Sequence, residues 1–285
     1  MDVSDIKVGL AARVLRAARR AARAGWSELR PKYNWQGIYR DFEGVVGASR
    51  GFDAEAWAHA TRALTERTLL RNQNRSVPEA VQGDDALLPF LVSIIGSSRV
   101  ELRIVDFGGG AGLSYAMTRA AVPRDTLLDY IVVELPNVVQ EGTKLFFGDS
   151  AIRFVEEIPE SLPSIDVIFI STALQYAPDW KRTLQRLARL GPRYFLLTRL
   201  SAGDVPTYVA AQVNYENARI PYRFLNLEEF TQAMHELGYA RRFLGASGTE
   251  MNQANYPATY ILSRTCNVLF TPVDDDEQRA GRKIG

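Results

Sequence analysis

The stretch RIVDFGGGAGLSYAM, residues 103–117, is where this chain concentrates residue types that could bind and position a reactant. An apolar run stops at Asp106, then passes Gly108, Gly109, Gly110 and Gly112 before the pattern turns helical. Glycine loses more conformational freedom on folding than any other residue. Four of them at one strand end therefore imply a positive φ, or a backbone that must come very close to something. An acid–x–Gly–x–Gly–x–Gly turn that opens a helix also presents unpaired N–H groups at the helix N-terminus. The dinucleotide fingerprint G-x-G-x-x-G would begin at Gly108 and Gly110 and require a small residue at 113, where Leu113 stands. The upstream acid would oppose a diphosphate and attract an ammonium group.

A nucleoside with an amino-acid tail suits that chemistry, and S-adenosylmethionine is the ligand inferred. A second signal is DYIVVELP, where Glu134 ends the next apolar run. A carboxylate there can accept hydrogen bonds from both ribose hydroxyls. The plainer alternative is a surface acid leading into a helix.

These residues need a scaffold. From about residue 99 apolar runs alternate with helical periodicity, which predicts a parallel sheet covered on both faces. Strands are expected at Leu102–Phe107, Tyr130–Glu134, Ile152–Val155, Asp166–Ser171 and Tyr194–Arg199. The helices between them include GLSYAMTRAAV, PNVVQEGTKLFF and DWKRTLQRLARL, the last capped by Asp179. For the third strand, IRFVEE is preferred to LFFGD, because the segment before it has helical spacing and Gly148 ends it. The helix LNLEEFTQAMHELG precedes ARRFLGAS and ATYILSR, two strands joined by a loop and hence antiparallel.

Upstream, residues 1–32 read as a basic amphipathic helix. Val3, Ile6, Leu10, Val14, Ala17 and Ala21 share a face beside Arg13, Arg16, Arg20 and Arg23. Such a helix could lie on an anionic membrane surface, or pack weakly on the domain or a partner. Residues 33–98 read as a helical and loop region that could act as a lid. Residues 33–52 form an ordered loop, followed by a helix capped by Asp53 and another in GDDALLPFLVSIIG. Residues 99–271 form the ligand-binding domain, and 272–285 a charged tail without periodicity.

Composition limits the alternatives. The net charge of +1 over 285 residues argues against a nucleic-acid-binding field. One cysteine excludes an internal disulfide, and no cluster resembles a metal site. Only His59 and His235 could serve as a histidine base; His235 reads as structural, and His59 needs a lid to reach the site. No stretch is long enough to span a bilayer, so a cytoplasmic location is expected, peripheral to the membrane if the N-terminal helix binds lipid.

VDFGGGAG, with Glu134 and the terminal antiparallel pair, resembles the class I S-adenosylmethionine-dependent methyltransferases over about residues 99–265. The resemblance implies a three-layer Rossmann-like α/β fold, with a seven-stranded, mostly parallel sheet and an antiparallel last strand. It implies that Asp106, Gly108, Gly110 and Gly112 hold the methionine end and Glu134 the ribose. Leu135 would lie against the adenine, together with Glu156 or Glu157. Ser171, Thr172, Gln175 and Tyr176 would face the site below the reactive methyl group. Segments at 35–57 and 196–239 resemble methyltransferases of bacterial surface-polysaccharide gene clusters, which implies a saccharide or related small-molecule acceptor.

For an acceptor hydroxyl, proton handling could fall to Tyr176, Asp179, Arg199 or Asp204, and Tyr176 and Arg199 are the catalytic candidates. The Arg199 guanidinium could clamp an anionic acceptor or form a strand-end salt bridge. The insertion at 204–224 carries Tyr208, Gln212, Asn214, Tyr215, Tyr222 and Arg223, which could meet a sugar or pack the insertion. A nicotinamide-dependent oxidoreductase and a non-catalytic cofactor-binding partner of a glycan-assembly enzyme are the alternatives.

Overall fold

A computed structural model describes residues 33–49, 55–73, 75–78, 81–97, 101–213 and 218–273. The basic helix expected at 1–32, the cap Asp53, Asn214, Tyr215 and most of the charged tail lie outside these residues.

The central sheet has seven strands. In chain order they are β2 (Glu101–Phe107), β3 (Leu127–Val133), β4 (Ile152–Val155), β5 (Val167–Ser171), β6 (Tyr194–Leu200), β10 (Tyr239–Glu250) and β11 (Arg264–Pro272). Their spatial order is β10-β11-β6-β5-β2-β3-β4. β2 pairs in parallel with both β3 and β5, and β11 runs antiparallel between β6 and β10. The inner strands β2, β3, β5 and β6 are buried on both faces because consecutive side chains enter opposite cores. Val105, Ile131, Ile168, Ile170, Phe195 and Leu197 enter one core, under α5 (Trp180–Ala188) and α6 (Leu227–Glu236). Their neighbours Ile104, Tyr130, Val132, Phe169 and Leu196 enter the other, under α2 (Leu87–Gly96) and α3 (Leu113–Ala121).

The preferred register of the third strand matches the structure. Residues 136–145 form α4, Gly148 adopts φ 87°, and β4 starts at Ile152. Asp179 caps α5 by accepting the Arg182 N–H at 3.0 Å.

Two expectations are corrected. The last strand is not ATYILSR: residues 258–260 form a 3-10 turn and β11 begins at Arg264. Leu262 and Tyr256 are drawn off the sheet into a separate aromatic core. Residues 33–52 are not all loop: they contain a strand, β1 (Trp35–Tyr39), which pairs antiparallel with β8 (Tyr208–Gln212). Its alternation is broken by Gly37 at φ 74° and by a bulge, and its partner lies in the distant insertion, so no local signal marks it.

That insertion therefore folds as a second sheet. Its order is β1-β8-β9-β7, with β7 at Ala202–Gly203 and β9 at Ile220–Asn226. Trp35, Tyr208, Tyr222, Phe224, Met251, Tyr256 and Leu262 form its core. Tyr208 and Phe224 stack with ring centroids 4.8 Å apart. Gln253 binds this core at two points, donating to Tyr208 Oη at 2.7 Å and accepting the Leu262 N–H at 2.8 Å.

Phe224 is fully buried. Its replacement by alanine is expected to lower stability by about 3–5 kcal/mol, the usual range for a large buried aromatic. One cooperative denaturant transition with a lowered midpoint would show that the second sheet unfolds with the first. Two separated transitions would show that it does not.

Candidate functional site

Asp106 and Phe107 end β2 at the sheet centre, with Asp106 opposite Val132 on one side and Phe169 on the other. The Asp106 side chain is wholly inaccessible to solvent. Its Oδ2 accepts the Tyr130 hydroxyl at 2.8 Å, and its Oδ1 has no hydrogen-bond partner among the described residues. Burial pushes its carboxyl up to about 7, and the nearby Glu134 charge adds to the rise. The Tyr130 hydrogen bond opposes it, and so does the nearby Ser114 side chain. A buried acceptor without a donor is costly unless a ligand supplies one.

The glycine turn wraps this carboxylate. Gly108, Gly110 and Gly112 adopt φ of 72°, 59° and 84°, the left-handed region that side chains with a Cβ rarely enter. A Cβ on Gly109 would collide with the Asp106 carboxylate, and one on Gly112 would lie 2.7 Å from the Phe146 ring. The turn is tied to the end of β3 at two points. The Gly108 N–H donates to the Val133 carbonyl at 2.9 Å, and the Gly110 N–H to Glu134 Oε1 at 3.1 Å.

Glu134 Oε2 accepts the Leu135 N–H at 2.8 Å, so both oxygens are oriented while each keeps a second lone pair. Burial raises the Glu134 carboxyl above its usual value, and the two backbone N–H groups oppose the rise. Leu135 is half-buried and leads into α4. Glu156 is exposed just beyond β4, and Glu157 lies 3.8 Å from Arg186. Asp149, from the discarded register, accepts the Tyr115 hydroxyl at 2.7 Å.

A helix absent from the motif reading covers the turn. In α1 (Glu55–Asn72), Thr61 lies against Gly110, 3.7 Å from where a Cβ would stand. Its Arg62 pairs with Glu141 of α4 at 2.9 Å. His59 is exposed on the same helix, and His235 is exposed on α6.

Next to the turn, β5 and β6 end in Ser171 and Leu200. Ser171 Oγ accepts from Thr198 Oγ1 at 2.9 Å and from Arg199 Nη1 at 3.1 Å. Arg199 also pairs with Asp85 and lies 3.6 Å from Asp84, so its charge is matched within the protein. Tyr176 donates to Gln212 Oε1 at 2.8 Å and packs edge-on against Tyr222.

Gln175 was expected to face the site, but it is buried and donates to the Arg199 carbonyl at 2.8 Å. Tyr208, Gln212, Tyr222 and Arg223 are likewise buried. The Arg223 guanidinium binds the carbonyls of Ala177 and Pro178 at 2.7 and 2.9 Å. Of the two roles open to these four residues, packing the insertion is the one the structure shows. Asp204 is exposed.

Sequence reasoning missed Asp84, Asp85 and Asn267 as residues of this edge. The acids of GDDALL read only as a helix start, and nothing local connects them to positions 199 and 267.

No family model matches the chain, and no curated protein matches it significantly. Solved structures do. One is a chain of the complex between the Haloferax volcanii Trm112 methyltransferase activator and a candidate methyltransferase. It is 16% identical, with a TM-score of 0.51, over 78% of this chain and 96% of that one. The fold is the Rossmann-like methyltransferase fold. The mitomycin 7-O-methyltransferase MmcR superposes with a TM-score of 0.52 at 15% identity, over 82% of this chain and 64% of its own length. Among the described residues, no helix is long and apolar enough to cross a membrane, and no group of His, Cys, Asp and Glu could hold a metal ion.

The Asp106 environment predicts a pH dependence for the free protein. In the unfolded chain this carboxyl ionises near pH 4, whereas in the fold it keeps its proton to about 7. Between those values the folded state holds the extra proton, so stability falls as pH rises through the window. Asp106→Asn is expected to flatten that fall, as read from denaturant midpoints at about pH 5 and about pH 7.5.

Proposed function

We propose that this protein transfers a methyl group from S-adenosylmethionine to a small-molecule acceptor, with a hydroxyl oxygen as the receiving atom. The observation that carries the reading is the buried Asp106 carboxylate, wrapped by a positive-φ glycine turn and left with an oxygen that no described residue satisfies. An ammonium-bearing ligand beside the turn would offset that buried negative charge, whereas a pyrophosphate would meet a carboxylate and Leu113 at the helix entrance. The fold adds support, because ligands of open α/β sheets bind beyond the carboxyl ends of the strands.

The residues present fit that cofactor. Gly108, Gly110 and Gly112 would let backbone approach the methionine end, and Asp106 would stand behind it. Glu134, held square by the N–H groups of Gly110 and Leu135, keeps lone pairs for two ribose hydroxyls. Leu135 and Glu156 would flank the adenine, and Ser171 would stand below the reactive end. The bound cofactor supplies an electrophilic methyl on a sulfonium. The protein's own work is to align an acceptor oxygen with it and to exclude water.

Tyr176 and Arg199 remain the residues proposed nearest the acceptor. Both are tied down, Tyr176 to Gln212 and Arg199 to Asp85, which suits positioning rather than proton removal. A saccharide acceptor draws its support from the sequence resemblance alone, since the insertion's described tyrosines are buried. Incubation with a methyl-labelled donor and a nucleotide-sugar pool, followed by mass analysis, tests the acceptor class directly. Label appearing only in compounds without a sugar would discard it.

Glu134→Ala is expected to weaken binding of S-adenosylhomocysteine by roughly 10- to 100-fold, the loss of hydrogen bonds to a charged group. Calorimetry with an unchanged dissociation constant would remove Glu134 from the site.

A further inference from the structure

α1 is held differently from α2 and α3. Among the described residues it gives no side chain to any hydrophobic cluster, and its three leucines, Leu64, Leu69 and Leu70, are exposed. The face it turns inward carries Ala58, Thr61, Thr65 and Thr68, at steps of three and four. Such small side chains bury little apolar area, and hydrophobic adhesion scales with that area. The Thr61 hydroxyl donates to the Ala58 carbonyl at 2.9 Å, and the Thr65 hydroxyl to the Thr61 carbonyl at 3.1 Å. Both are satisfied within the helix, so parting α1 from the domain strands neither.

Its position is nonetheless central. Thr61 lies against Gly110 of the glycine turn, while Leu69, Leu70 and Asn72 line a cleft with Arg119 and Arg124 at the far end of α3. α1 therefore runs down α3 from the turn, and residues 55–60 extend past the turn in the other direction. At 1.5 Å per residue, about 9 Å of helix stands beyond the strand ends, the side where ligands of open α/β sheets bind. An ion pair fastens it there: Arg62 Nη1 meets Glu141 Oε2 of α4 at 2.9 Å. Lys144 on α4 holds the other Glu141 oxygen at 2.7 Å, and Glu66 on α1 holds Arg62 Nε at 2.9 Å.

We propose that α1 is a cover over the glycine turn, latched to α4 by Arg62 and Glu141, whose opening sets the rates at which the cofactor enters and leaves. The inference rests on the functional reading above, which puts the methionine end of the cofactor at Gly108–Gly112. Segments held by few buried apolar contacts open at low cost, and covers over binding sites are drawn from them. The latch joins two helices rather than helix and ligand. Loosening it therefore speeds entry and exit alike and leaves the affinity in place.

Hydrogen exchange on the full chain and stopped-flow binding of S-adenosylhomocysteine test this. Amides of residues 55–72 are expected to exchange at least about tenfold faster than those of α3, and S-adenosylhomocysteine to slow them. Arg62→Gln is expected to raise the association and dissociation rates about fivefold each, with the dissociation constant within about twofold. Glu141→Gln is expected to give the same rise and the double variant no more, because the two residues act as one pair. Lys144→Gln leaves the cross-helix pair intact and is expected to give none. Equal exchange in α1 and α3, or unchanged rates in Arg62→Gln, overturns the proposal. A rise in dissociation alone makes Arg62 a ligand contact and overturns it as well. A wild-type chain that binds no S-adenosylhomocysteine overturns the functional reading and the cover together, whereas the other outcomes leave that reading standing.

Discussion

A carboxylate buried at the centre of a parallel sheet sets the terms for everything around it. Asp106 sits where water cannot reach it, with Tyr130 satisfying one oxygen from the neighbouring strand. The chain leaving β2 must then turn tightly past the carboxylate, and at Gly109 there is no room for a side chain. The glycines beside it take the positive φ that such a turn requires, and the turn is fastened to the end of β3. Binding chemistry and backbone geometry are one constraint here. The acid's burial forces the shape of the turn at the carboxyl end of β2.

How far the sequence revealed this depends on the range of each signal. The turn, the acid of Glu134, the third-strand register and the Asp179 cap were legible because each is a short-range pattern of sterics, periodicity or capping. β1 was not, since its hydrogen-bonding partner is β8 and its own five residues include a left-handed glycine. The last strand was misplaced because ATYILSR has strand-like composition, yet Leu262 packs into the aromatic core of the second sheet. Tertiary packing overrode local preference there. The Asp84–Arg199–Asn267 network was invisible for the same reason, being made of polar residues scattered along the chain and joined only by topology.

The second sheet explains why the insertion and the segment before α1 are both present. Neither could bury its aromatics alone, since one strand or a short hairpin has too little apolar face. Trp35 meets Tyr222 and Phe224 at centroid distances of 5.8 Å, so one segment completes the core of the other. Arg223 extends the link to the central sheet by gripping the carbonyls of Ala177 and Pro178, just after Tyr176. The loop below the proposed acceptor is therefore anchored from outside the central sheet.

The antiparallel strand β11 is the last described strand along the chain but lies second in from one side of the sheet, wedged between β6 and β10. During synthesis, β6 and β10 must wait for it with unpaired edges, and the amide of Arg199 waits for Asn267. A chain still tethered to the ribosome would hold an open seam between those two strands. Chaperones that shield exposed strand edges would have their natural target in that interval.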